Sequence, residues 1–135
     1  MKRIIAMAVM FSSFGCSLKR DISLTAQNKD SHVVFTIQTT GIGSLVAFEV
    51  KEQDTNQIVW TLSFDRSDEA PILYGEVPAH ARQDFPHDGN RPQALAPNKT
   101  YEIRIVGASA YSENSSGFLF IAKTDGVGAV ISIVK

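Results

Sequence analysis

Three places in this sequence carry side chains able to do chemistry. Cys16 is the only cysteine among 135 residues, so no intramolecular disulfide can form and its thiol is left for modification. His80, Asp84 and His87 lie within one stretch, residues 79–94, and together could offer nitrogen and oxygen ligands to a metal. No helical i, i+4 spacing sets them, and Pro86 interrupts the run. Asp65-Arg66-Ser67-Asp68-Glu69 gathers carboxylates of the kind that bind Ca²⁺, without the spacing of an EF-hand. Gly41-Ile42-Gly43-Ser44 has two glycines, but no complete G-x-G-x-x-G and no helical pattern after it, so it reads as a turn. There is no G-x-S-x-G, H-E-x-x-H, P-loop or C-x-x-C. A serine nucleophile would need a positioned base, and nothing in the spacing of His32, His80 and His87 supplies one. The expectation is a chain with no catalytic residue and no cofactor, with His80, Asp84 and His87 as weak metal candidates.

The setting of Cys16 gives it a role. Lys2-Arg3 is a positive n-region, Ile4 to Phe11 is an unbroken apolar run, and Ser12-Ser13-Phe14-Gly15 leads into Cys16. The run is too short to span a bilayer as a helix and has the form of a secretory signal. Gly15 directly before Cys16 resembles the leader of bacterial lipoproteins. That resemblance implies cleavage after residue 15, diacylglycerol on the Cys16 sulfur, and anchoring by acyl chains. Two or more chains hold a protein stably on a bilayer. By the same resemblance the residue after the cysteine directs sorting, and Ser17, which is not the aspartate of inner-membrane retention, implies the outer membrane. Ordinary cleavage after Gly15, with Ser13 and Gly15 as its small residues, is the rival reading; an uncleaved N-terminal helix is a second. Residues 16–21 form a short tether, and five extended residues reach about 17 Å.

What must position any site downstream is a set of strands. Ile22, Leu24 and Ala26 alternate with polar residues, as do Val33, Phe35 and Ile37, then Val46, Phe48 and Val50. Ile58, Trp60, Leu62 and Phe64 return after a turn at Asp54-Thr55-Asn56-Gln57. Period two is the strand signature. A further strand is expected over Ile72 to Val77, between Pro71 and Pro78. Residues 79–94 read as an irregular crossover pinned by Phe85, Pro86 and Pro92. Ala108 to Ser116 reads as a loop. Phe118, Phe120 and Ala122 make a strand apolar on both faces, and Asp125-Gly126 turns into a last one, Ala129 to Val134. Tyr101, Ile103 and Ile105 form the strand the others surround, entered through Leu95-x-Pro97-x-x-x-Tyr101. This spacing resembles the tyrosine corner of immunoglobulin-like and fibronectin type III domains, in which the tyrosine hydroxyl bonds to backbone a few residues upstream.

The expected fold is therefore all-β: an antiparallel β-sandwich of about 7–8 strands over residues 22–135, immunoglobulin or fibronectin type III-like, after a cleaved signal peptide. Its expected core is Phe35, Ile37, Val46, Phe48, Trp60, Leu62, Tyr101, Ile103, Ile105, Phe118 and Phe120. The formal net charge is -1, and without Lys2 and Arg3 it becomes 11 basic against 14 acidic, or -3. That is no field for nucleic acid. The expected function is a membrane-anchored, non-enzymatic binding or assembly module. Its partners would be the membrane, through the lipid, and possibly an envelope protein. The alternative is a periplasmic metal-binding or hydrolytic protein using residues 79–94.

Overall fold

The computed structural model describes residues 19–65 and 71–135. The leader 1–15, Cys16 and residues 66–69 of the acidic segment lie outside the described residues. Among the described residues the strands are β1 (Asp21–Lys29), β2 (His32–Thr40), β3 (Ile42–Glu52), β4 (Gln57–Phe64), β5 (Ile72–Leu73), β6 (Ala81–Phe85), β7 (Thr100–Ser109), β8 (Ser115–Thr124) and β9 (Val130–Val134). They form a three-stranded sheet, β1-β2-β5, and a six-stranded sheet, β6-β4-β3-β7-β8-β9, antiparallel throughout. The two sheets pack face to face as a β-sandwich, and there is no helix among the described residues.

The alternating apolar side chains meet between the sheets. Ile22, Leu24, Phe35, Ile37 and Ile72 come from the small sheet; Phe48, Val50, Trp60, Leu62, Tyr101, Ile103, Ile105 and Phe120 come from the large one. Phe35, Phe48, Trp60 and Tyr74 form a continuous aromatic row, with ring centroids 5.6, 5.9 and 5.1 Å apart in sequence and tilted or edge-on geometries. Such contacts add to the area term. Every buried side-chain nitrogen and oxygen among the described residues has a partner.

The corner before β7 is held by two side chains. Ala96 donates its N–H to the Tyr101 hydroxyl at 2.7 Å, while its carbonyl accepts from the Thr124 hydroxyl at 2.6 Å. Thr124 Oγ1 also accepts from the Lys99 N–H at 2.9 Å. A backbone that turns away from both sheets thus keeps its polar groups satisfied, as burial requires.

Bulges overturn two of the sequence expectations. In β3 the register shifts between Leu45 and Ala47 opposite β7. One inserted residue reverses which side faces the core, so Leu45 is buried at 3% exposure and Val46 stands out at 39%. Between β3 and β4 a shift at Val50/Lys51 pairs Lys51 with Ile58 and leaves Val59 as the extra residue. Ile58 accordingly leaves the core face that Trp60 and Leu62 keep. Phe118 packs against the core edge, half-buried. The strand expected over 72–77 stops at Leu73 because a turn closes there, the Glu76 N–H donating to the Leu73 carbonyl at 3.0 Å. The expected loops at 41–44 and 108–116 shrink, since β3 begins at Ile42, β7 runs to Ser109 and β8 starts at Ser115.

The two flanks of the sandwich are closed differently. Where the β1 and β9 edges face each other, the Asn28 side chain donates to the Val130 carbonyl at 2.8 Å and accepts the Val130 N–H at 2.9 Å. It takes the place of a strand partner. At the far end Lys135 bonds the Asp21 carboxylate and the Ile22 carbonyl, and sits over the rings of Phe118 and Phe120. The other flank, between β5 and β6, is bridged by residues 86–93.

The described chain begins at one pole. Arg20 reaches the Ser116 hydroxyl at 3.4 Å, and the Ala110 N–H donates to the Gly41 carbonyl at 3.2 Å. Gly41 has φ +69°, and a Cβ there would strike the Lys19 carbonyl oxygen. The first described residues are therefore seated against the β2–β3 and β7–β8 turns.

Candidate functional site

Residues 79–94 are only in part the irregular crossover that their composition suggests. Ala81–Phe85 is β6, paired to β4 as Thr61↔Phe85, Leu62↔Gln83, Ser63↔Arg82 and Phe64↔Ala81. The sequence Ala-Arg-Gln-Asp-Phe has no strong strand pattern; its state is set by the partner strand, as edge-strand preference often is. Of the expected pins, Pro92 holds and Phe85 does not. Phe85 is 37% exposed, while Pro92 is buried, and the organising residue is Gln83. Its Oε1 accepts the Trp60 Nε1–H at 2.9 Å, and its Nε2 donates to the carbonyls of Pro86 at 2.9 Å and Asn90 at 2.7 Å. Tyr74 completes the clamp by donating to the Gln93 carbonyl at 2.6 Å. Burial pushes the Tyr74 phenol above its ordinary pKa, which keeps it a donor.

Held this way, residues 84–93 stand as a wall beside the outer face of β4. Between the wall and the β3–β4 hairpin lies an open groove of about 830 Å³. Ile58, Val59, Phe85 and Pro86 give it apolar surface; Glu49, Gln57 and Arg91 stand among its polar groups. A concave site of this size, apolar along Ile58, Val59, Phe85 and Pro86 and polar around them, has the character of a ligand site. The β4 bulge is what brings both Ile58 and Val59 to it. A smaller depression of about 440 Å³ lies over β3, β7 and β8, beside Lys51, Glu102 and Arg104, and Glu49 lines both.

The three metal candidates do not converge. His80 lies in the turn before β6 and donates nothing to a shared centre; its carbonyl accepts the Asp65 N–H at 2.8 Å. His87 follows β6 and packs edge-on to Phe85 at 5.6 Å. The intervening five-residue strand holds the two histidines roughly 17 Å apart along the chain, at about 3.3 Å per residue. Asp84 is already engaged: the Ser63 hydroxyl and the Arg82 guanidinium both donate to its carboxylate. These bonds, Ser63's foremost, hold the Asp84 carboxyl below the usual carboxylate range, with His87 a smaller contributor. Among the described residues no three His, Cys, Asp or Glu side chains come together as a metal site. Ser63 donates to a carboxylate that is a weak base, an arrangement without the general base a nucleophilic serine needs.

Gln83 and Glu49 were not recognisable as site residues from sequence. A glutamine between two charged residues carries no pattern, and Glu49 reads as an ordinary outward residue of an alternating strand. No protein-family model matches the chain, and neither a curated protein nor a solved structure is significantly similar to it.

Proposed function

We propose that this chain is a lipid-anchored, non-enzymatic binding module of a bacterial envelope, held at the outer membrane through Cys16 and binding in the groove between β4 and residues 84–93. The observation that carries the reading is the groove itself: a partly apolar trough walled by the segment that Gln83 clamps, without a paired nucleophile and base among the described residues. The leader before Cys16 supplies the anchor, and the short stretch from Ser17 to Asp21 keeps the domain near the bilayer. The pole at which the described chain begins, beside Gly41 and Ser116, is the end of β3 opposite its hairpin with β4. β3 is eleven residues long, about 35 Å at the usual rise. The groove, which reaches Asn56 and Gln57, therefore faces away from the anchored end.

An immunoglobulin or fibronectin type III-like identity for the domain is part of this proposal. It is supported by the order β1-β2-β5 opposite β4-β3-β7-β8, by the added edge strands β6 and β9, and by the Tyr101 corner. Intact-mass measurement on protein extracted from the producing cell's membranes tests the anchor. The expected mass is that of residues 16–135 plus diacylglycerol and an amide-linked acyl chain, with Cys16→Ser releasing the protein from the membrane fraction. An unacylated product in the soluble fraction would defeat it.

A further inference from the structure

The half-buried carboxylates among the described residues are almost all answered. Asp21 has Lys135, Glu52 has Lys99, Asp84 has Arg82 and Ser63, Glu102 has Lys51 at 3.2 Å, and Asp125 accepts the N–H groups of Val127 and Ala129. Glu49 is half-buried on the outer face of β3 and has neither an ion pair nor a hydrogen bond among the described residues. Its cross-strand neighbours are Thr61 and Arg104, and Arg104 forms no ion pair with it. A partly desolvated carboxylate beside Val59, Ile58 and Phe85 gains by meeting a cation, because the surrounding apolar surface weakens screening of the pair by water.

The shape of the site says what carries that cation. Glu49 lines both the groove beside β4 and the smaller depression over β7 and β8. Side by side, the two hollows form a trough spanning the faces of β4, β3, β7 and β8, about 14 Å at the usual strand spacing, which is the length of roughly four extended residues. We infer that this trough takes an extended segment of a partner polypeptide that sets one basic side chain against Glu49 and apolar neighbours against Ile58, Val59 and Phe85. Arg91 on the groove wall, not ion-paired among the described residues, repels a second cation there. A single basic residue between neutral or acidic ones is accepted, and a basic run is not. The inference deepens the binding reading of the groove and rests on it.

The test uses the detergent-solubilised mature protein with its isoleucine and valine methyls labelled for NMR, and two pools of blocked pentapeptides. One pool is randomised around a central lysine and the other around a central glutamate. The lysine pool is expected to shift the Ile58 and Val59 methyls, the glutamate pool to leave them in place, and Glu49→Gln to weaken the lysine pool roughly tenfold or more. Glu113→Gln, on the β7–β8 turn, should bind as the parent does. Shifts that persist undiminished in Glu49→Gln, or that both pools cause equally, overturn the assignment of ligand while leaving the groove a binding site. Butylammonium alone binding as well as the lysine pool overturns the polypeptide occupant. Silence of the Ile58 and Val59 methyls toward both pools overturns the groove reading together with the inference.

Discussion

On one side of the sandwich, β1 and β9 are joined across the gap by a single amide, that of Asn28, and by Lys135 at the other end. On the opposite side, β5 and β6 are bridged by a stretch of chain, residues 86–93, which Gln83 and Tyr74 hold by its carbonyls. The first closure uses side chains already on regular strands and leaves only a slight hollow there, about 220 Å³. The second uses backbone that must be folded over and tied down, and the wall it makes encloses the groove. A closure built from loop creates a concave surface because the loop cannot lie flush with a pleated sheet. Function is disproportionately placed on such segments.

The comparison can be broken most severely at Trp60, which is fully buried and ties β4 to Gln83. Trp60→Ala should cost about 3–5 kcal/mol in denaturant unfolding, collapsing the core and the loop-built flank together. Gln83→Ala is the sharper instrument. It strands the buried Trp60 N–H and frees two carbonyls, for a loss of about 2–3 kcal/mol. Amide exchange should quicken over residues 86–93 while residues 130–134 stay as they were. Asn28→Ala should do the reverse at about 1–2 kcal/mol, quickening exchange at Val130 and leaving Asn90 unaffected. If either variant loosens both flanks equally, the closures are not independent. Tyr101→Phe removes the acceptor of the Ala96 N–H and should lower stability by on the order of 1 kcal/mol, read from the unfolding midpoint, without reaching either flank.

The smallest effect is at Asp84. Its folded-state pKa lies below the unfolded value, held down first by Ser63 and then by Arg82. Its contribution is therefore present above about pH 4, the ordinary carboxylate value, and is lost as pH falls through the lower folded-state pKa. Because the carboxyl is 35% exposed, solvent screening keeps the contribution small. Asp84→Asn should flatten the acid limb of melting temperature against pH and leave the midpoint near neutrality almost unchanged. An acid limb identical to the parent's would show that the Ser63–Asp84–Arg82 contacts do not stabilise β6.

Much of the fold was legible because period-two alternation is a property of each strand alone. Phe35 and Ile37, Phe48 and Val50, Trp60 and Leu62, and Tyr101, Ile103 and Ile105 all fall where alternation puts them. Val46 and Ile58 do not, since a bulge moves a residue to the other face and neither site carries a glycine or proline to announce it. β6 was invisible for a related reason: Ala81 to Phe85 is a strand by pairing, not by composition. The groove was less legible still. It depends on where the chain after Pro86 returns, which Gln83 decides by reaching carbonyls three and seven residues ahead. His80 and His87 drew attention by residue type, yet the strand between them keeps them apart.

The facing edges of β1 and β9 bear on how copies of this domain behave when crowded together. A strand edge left open invites a neighbour to add a rung; here each of these edges looks at the other across Asn28. Fibre growth from this side would first have to pry the pair open. Mild heat or denaturant, more than protein concentration, is what would turn individual molecules into ribbons.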